Sequence, residues 1–363
     1  MKRTLACVWV SFFLAALLSA CQTSGTTSTR IAGGSQATPP APVGMTIRDY
    51  DKIIQKNPDD ARARQCRGLA YANKDDFPAA TSDLDLAVTI NPRDWAALGN
   101  RGVLYGRRGF YEKAMKDFNQ ALLIQPDSYE ILFDRALCWG EYGKYDKALA
   151  DLNRAIALKP DYAKALLFRG RVLAMNGNFP AAVNDYTEAI KTDSQSATVY
   201  YHRALAYADM GETEKALQDL TASAQLDPQN DKTFFERGSL RQKSGDLSGA
   251  LSDLNEAIRI NRDYTKSYYV RGSIHASMGD HRQAIEDYTF AVKILHLARH
   301  LSPAMMKKFL DANPWLPDAF YLRAMSFEKQ GDKGAALADA EKAEELDPQN
   351  NAYKQMVQRL EQS

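Results

Sequence analysis

Alanine stands at Ala80, Ala114, Ala148, Ala182, Ala216, Ala250 and Ala284, a constant interval of 34 residues, and returns after an insertion at Ala336. With Ala61 as position 1 of a 34-residue unit, this is position 20 in each of eight units. Position 8 is small throughout: Gly68, Gly102, Ala136, Gly170, Ala204, Gly238, Gly272 and Ala324. Position 27 is alanine in seven units and Ser223 in the other. A fixed period of this length constrains the fold more than any composition does. It specifies one supersecondary unit, copied and stacked, in which each copy hides its apolar face only against its neighbours.

Each unit contains two apolar-periodic stretches of helical length. In seven units they meet near a glycine, and in the first Asp75 stands at the equivalent place. Glycine permits the tight turn that joins antiparallel helices. Small residues at positions 8 and 20 let the two helix axes approach, and position 27 does the same toward the next unit. Proline at position 32 (Pro92, Pro126, Pro160, Pro228, Pro348) ends the second helix.

This pattern resembles the tetratricopeptide repeat, which has a small residue at position 8, tyrosine at 11, glycine at 15, alanine at 20, an aromatic at 24, alanine at 27 and proline at 32. The resemblance covers residues 61–350 and implies an all-α, right-handed α-solenoid of helix-turn-helix repeats whose first helices line a concave surface. Thr46 to Pro58 matches only a second helix, so residues 46–60 are expected to form an N-terminal capping helix. Residues 351–363 read as a C-terminal capping helix with Met356 and Leu360 on one side.

Two charged residues repeat as faithfully as the alanines. Position 7 is Arg67, Arg101, Arg135, Arg169, Arg203, Arg237, Arg271 and Arg323, and position 23 is Asp83, Asp117, Asp151, Asp185, Asp219, Asp253, Asp287 and Asp339. A catalytic pair is needed once, so a pair in every unit is architecture. We expect a structural ladder of charge-assisted hydrogen bonds near the helix–helix seam. The spacing leaves open whether each arginine reaches the aspartate of its own unit or of a neighbour.

Position 5 lies off the packing stripe and carries Phe133, Tyr201, Phe235, Tyr269 and Tyr321 in five of the eight units. These rings are candidates for a partner-binding groove that takes an extended peptide. The alternative is that they pack between neighbouring first helices. The insertion is expected to prolong the second helix of unit seven through Leu301 and to add a helix at about 299–316, started by Ser302 as cap and Pro303 as first residue. There Met305, Met306, Phe309 and Leu310 form an apolar face that suits either a partner contact or a lid over the seam between units seven and eight. His296 and His300 stand one turn apart, but two ligands do not fill a zinc site and no third has suitable spacing, so no metal is expected. No phosphate-cradling loop, nucleophile elbow or paired-acid motif occurs. The expectation is a protein without catalytic activity or cofactor.

The N-terminal residues suggest where such a protein works. Lys2 and Arg3 precede an uncharged, mostly apolar run from Leu5 to Leu18, the size of a signal-peptide core and short for a membrane span. Ser19, Ala20 and Cys21 follow, so the segment is similar to a bacterial lipobox. The resemblance implies a signal peptide at 1–20 and a lipidated Cys21, with Gln22 favouring the outer membrane of a Gram-negative cell. Residues 21–45, rich in Ser, Thr, Gly and Pro, would then form a flexible tether reaching roughly 25 Å. Without Lys2 and Arg3 the chain holds 44 basic against 45 acidic residues, which gives it no general attraction for nucleic acid. Cys66 and Cys138 fall among apolar residues of expected helices and read as packed thiols.

The function these features imply is a membrane-anchored adaptor of the bacterial cell envelope, probing the periplasm and binding protein or peptide partners in its groove. Related lipoproteins assist pilus and secretin assembly or dock cell-wall hydrolases. The alternative is a glycan-binding scaffold in an exopolysaccharide export system, with the aromatic track stacking on sugar rings.

Overall fold

A computed structural model of the chain describes residues 45–362. Cys21, the apolar N-terminal run and nearly all of the Ser/Thr-rich tether lie outside them. The described residues divide into two compact units, one ending at Thr192 and one beginning at Asp193. In both, the described secondary structure is helical.

In the first unit a single helix α1 (Ile47–Lys56) precedes four helix pairs. The pairs are α2 (Ala61–Ala72) with α3 (Phe77–Ile90), α4 (Trp95–Arg107) with α5 (Tyr111–Ile124), α6 (Tyr129–Glu141) with α7 (Tyr145–Leu158), and α8 (Ala163–Met175) with α9 (Phe179–Thr192). Within a pair the helices pack along their length, and each second helix also meets the first helix of the next pair. Met45, the first described residue, already packs against the cluster of Tyr50, Ile54 and Ala63.

Short-range chemistry sets the helix ends. Asp60, Asp76 and Asp94 accept hydrogen bonds from the backbone N–H groups of Ala63, Ala79 and Ala97, satisfying donors that have no partner within the helix. The turns inside the pairs need left-handed backbone. Gly109, Gly143 and Gly177 have φ between +73° and +78°. Asp75 takes the same conformation at φ +58°, which aspartate tolerates better than most side chains.

The small residues act at the pair interface. Ala80, Ala114, Ala148 and Ala182 are fully buried. At position 8 the available space depends on what faces it. A Cβ added to Gly102 would come within 2.9 Å of Phe118, and one added to Gly170 within 2.6 Å of Tyr186. Where leucine replaces the ring, at Leu152, alanine is accommodated at Ala136. Burying Leu84, Leu152 or Phe118 contributes about 1.5–3 kcal/mol each, so the pairs are held chiefly by apolar contact.

The second unit repeats the scheme with α10 (Ala197–Asp209) and α11 (Thr213–Leu226), α12 (Asp231–Lys243) and α13 (Leu247–Ile260), and α14 (Thr265–Ser277) and α15 (His281–Val292). After an interruption, α18 (Leu316–Lys329) pairs with α19 (Lys333–Leu346), and α20 (Asn351–Glu361) closes the series. Helix α20 buries Tyr353, Met356, Val357 and Leu360 and exposes polar residues on its other side.

The interruption differs from the sequence expectation. Helix α15 stops at Val292 and does not run on to Leu301. Residues 293–301 wind more tightly, with backbone bonds from His296 to Lys293 and from Leu297 to Ile294, around a short α16 (Leu295–Ala298). The tight winding turns Ile294 and Leu295 onto the cluster of Trp315, Leu316 and Phe320. Helix α17 (Pro303–Ala312) follows, with Ser302 Oγ accepting from the Met305 N–H at its start, and it is shorter than the 299–316 expected.

Candidate functional site

The repeated arginine and aspartate face each other within every unit. In all eight, the arginine's Nε and Nη2 donate to the two carboxylate oxygens of the aspartate 16 residues later. For Arg169 and Asp185 the distances are 2.8 and 2.7 Å. All eight aspartates are buried. The bond to Asp83 drives the Arg67 guanidinium above its already high ordinary value, against the opposing effect of burial.

In seven of the eight, the remaining arm of the guanidinium reaches a residue that sequence reasoning missed. Arg101 Nη1 donates to Asp85, Arg135 to Asn119, Arg169 to Asn153, Arg237 to Thr221 and Arg271 to Asn255. Each acceptor is position 25 of the preceding pair. Arg67 finds Asp51 on α1 at the equivalent place, which makes α1 a stand-in for a missing second helix. The signal in the sequence was a short polar acceptor at position 25, varied among Asp, Asn and Thr and therefore less visible than an invariant residue.

The position-5 rings separate into two kinds. Phe133 and Phe235 are buried, which corrects the expectation that they offer their faces to a partner. Phe133 sits edge-on to Tyr162 at 5.2 Å and to Phe168 at 6.2 Å, and Phe235 is edge-on to Tyr264 at 5.0 Å. Tyr162 and Tyr264 are the residues just before the next first helix, so each position-5 ring wedges into a seam. Tyr269 and Tyr321 remain half-buried, tilted against Trp315 at 5.3 Å and Tyr353 at 5.1 Å. Burial, with the Asp318 carboxylate, pushes the Tyr269 hydroxyl up to about 12. Tyr201 is half-buried beside His202.

The inserted-helix residues are also divided. Phe309 and Leu310 pack into the cluster around Trp315 and Leu316 and act as a lid. Met305 points outward and is 55% exposed, and Met306 lines a hollow with Leu310. His296 and His300 both meet Arg299, whose Nη1 lies 2.7 Å from His296 Nε2 and whose Nε donates to His300 Nε2 at 3.1 Å. Among the described residues, no group of three or more His, Cys, Asp or Glu side chains is placed to hold a metal. Cys138 is buried, and burial pushes its thiol up to about 12.

Beside the ladder and the buried rings of Phe133 and Phe235, positions 2, 6, 9 and 13 of the first helices form one face by helical spacing. They do not repeat. Helix α6 carries Glu130, Asp134 and Glu141 there, and α8 carries Lys164 and Arg171. These groups act on one another. Burial, then the Glu130 carboxylate, pushes Asp134 up to about 7, opposed by Lys164. Burial raises Glu141, opposed by Arg171. In the second unit the same face holds Lys232, Glu236 and Lys243 on α12, and Gln242 bonds Ser273 of α14 at 2.8 Å.

Helix pairs on a 34-residue period, each closed by the same bidentate bridge, match a known architecture. Tetratricopeptide-repeat profiles match residues 111–172, 197–230, 265–294 and 317–350, and a TPR repeat profile matches residues 170–211. The chain belongs to the tetratricopeptide-repeat family. Among solved structures, the tetratricopeptide-repeat chain is similar to pilF of Pseudomonas aeruginosa, at 20% identity and a TM-score of 0.51 over 56% of this chain and 93% of that one. It is also similar to the APC/C hetero-tetramer Cut9–Hcn1, at 13% identity and a TM-score of 0.52 over 86% of this chain and 58% of that one. A tetratricopeptide-repeat protein from Parabacteroides merdae shares 18% identity over 86% of this chain and 99% of its own, with a TM-score of 0.43. At these identities the likeness is one of fold. No curated protein matches the sequence. Among the described residues, no helix is long and apolar enough to cross a membrane.

Proposed function

We propose that this tetratricopeptide-repeat protein is a non-catalytic adaptor that binds protein or extended peptide segments on the first-helix faces of its units. One observation carries the reading: the residues that repeat are satisfied internally, and those that vary lie together on the first helices. The acidic residues of α6 beside Lys164 of α8 select a partner by charge pattern, because the overall charge is close to neutral. Burial of Phe133 and Phe235 removes two of the ring faces that a glycan would need for stacking, which argues against the polysaccharide alternative. Cys21 anchors the adaptor by lipid to the cell envelope, at the periplasmic side of the outer membrane, with residues 22–44 as tether.

Crosslinking and pull-down from native envelopes test the adaptor role, with Glu130→Lys/Glu141→Lys compared against wild type. Reversing the acidic row is expected to remove specific protein partners while helical content is kept. An unchanged partner set, or loss of polysaccharide retention alone in Tyr201→Ala/Tyr269→Ala, would replace the reading. Labelling with a radioactive fatty acid tests the anchor: Cys21→Ser is expected to abolish incorporation, and label retained in that variant would reject lipidation at this residue.

A further inference from the structure

The inserted segment builds a second recess, within the second unit and apart from the first-helix faces. Helices α16, α17 and α19 surround a hollow of about 1010 Å³ that is open to solvent. Its apolar lining includes Leu295, Met306, Leu310 and Leu346, and Leu297 stands at the mouth, 79% exposed. Large pockets lined mainly by apolar groups are where ligands lodge, and an aliphatic side chain this exposed at the edge of one extends the surface a partner can cover.

The charges lining this hollow are mostly basic, Lys293, Arg299 and Lys342 against the single acid Glu345. Between Asp287 and Asp311 the sequence holds Lys293, Arg299, Lys307 and Lys308 and no carboxylate, and of these Lys307 is paired with Asp311 at 3.3 Å. Lys293 lies 3.8 Å over the Phe290 ring, and Arg299 meets only the two histidines. Among the described residues neither forms an ion pair. The one acid lining the hollow, Glu345, is paired with Lys342 at 2.6 Å.

We infer that this recess docks an amphipathic helix whose apolar side chains enter the hollow and whose Asp and Glu residues meet Lys293 and Arg299. The walls are helices with their backbone groups already bonded, so an incoming backbone must satisfy its own hydrogen bonds, as a helix does. The carboxylates follow from the uncompensated cations, since apolar burial supplies affinity and opposite charge supplies orientation and rate. Leu297 is 79% exposed while Met306 and Leu346 are half-buried within the hollow, which favours a convex partner over a planar lipid surface.

The test uses the full chain and two fluorescent 16-residue helical peptides, with leucine at every third or fourth position and either glutamate or lysine between. Anisotropy is expected to show micromolar binding of the glutamate peptide that weakens as salt is raised, and at least tenfold weaker binding of the lysine peptide. Leu297→Asp and Arg299→Glu, both at exposed sites, are each expected to weaken the glutamate peptide at least tenfold with unchanged circular dichroism. Glu130→Lys, on the first-helix face, is expected to leave it unaffected, so failure here is separable from failure of the adaptor reading. Equal binding of both peptides, insert variants that bind like wild type, or binding through these residues to anionic phosphatidylserine vesicles but not to the peptide would overturn the inference.

Discussion

At Arg101, Arg135, Arg169, Arg237, Arg271 and Arg323 the position-7 arginine spends its planar fork on two partners at once. Two donors hold the aspartate of its own pair, and the third reaches back to position 25 of the pair before. Lysine cannot reproduce this, because a single ammonium lacks the fixed fork. Arg169→Ala leaves the buried Asp185 without its counter-ion and is expected to lower unfolding free energy by about 2–4 kcal/mol, with Arg169→Lys intermediate. Asn153→Ala removes only the inter-pair bond and is expected to cost about 0.5–1.5 kcal/mol. Urea denaturation of the three variants tests this order, and equal losses for Arg169→Ala and Asn153→Ala would contradict it. Asp134 carries a different prediction. Its folded carboxyl is pushed up to about 7 from an ordinary value near 3.8, so between those limits the folded protein binds more protons than the unfolded chain. Stability is therefore full below pH 4 as far as this group is concerned and falls as pH rises toward 7. Asp134→Asn is expected to flatten that slope and to stabilise the protein at pH 8 by about 1 kcal/mol. Thermal melts across this range measure it, and parallel profiles for the two proteins would count against it.

At the scale of helices, the pairing of position 8 with position 24 decides how closely two axes pack. The three units with an aromatic at position 24, Phe118, Tyr186 and Tyr288, all place glycine opposite it, at Gly102, Gly170 and Gly272. Gly170→Ala is expected to destabilise by about 1–3 kcal/mol through overpacking against Tyr186, and Tyr186→Leu in the same chain is expected to restore part of the loss. Additive losses in the double variant, read by denaturant unfolding, would rule out this contact as the cause. Periodicity made the helices, their turns, the small-residue seams and the Arg–Asp ladder legible, but not which aspartate each arginine reaches. It could not show which way Phe133 and Phe235 face, because their surroundings come from Tyr162 and Tyr264, some 29 residues further along. Nor did it reveal the break after Val292. The apolar spacing of "AVKILHLARHL" suits a continuous helix, and in the structure Ile294 and Leu295 still pack on the Trp315 cluster although the helix ends at Val292. The varying first-helix face was hardest to read, since a site defined by what fails to repeat leaves no pattern.

For the molecule as a whole, stability accumulates from near neighbours. Within each compact unit every pair touches the next, and the two units are expected to have separate cores. A fragment of residues 45–192 should remain helical and melt cooperatively, and should keep the pH response assigned to Asp134, all of whose named influences lie within it. Circular dichroism of the fragment checks this, and a random-coil spectrum would show that the first unit depends on the remainder.

Arg323 completes its bonds differently from its counterparts in sequence, though not in space: its Nη1 donates to Thr289, 34 residues back, where the other arginines reach 16. The extra chain packs against the Trp315 cluster, and the clasp closes unchanged. An architecture fastened in this way tolerates foreign cargo. New segments can be spliced between repeats and elaborated into recognition elements while the spine beneath keeps its bond pattern, and the same joint is a natural place to graft a chosen loop.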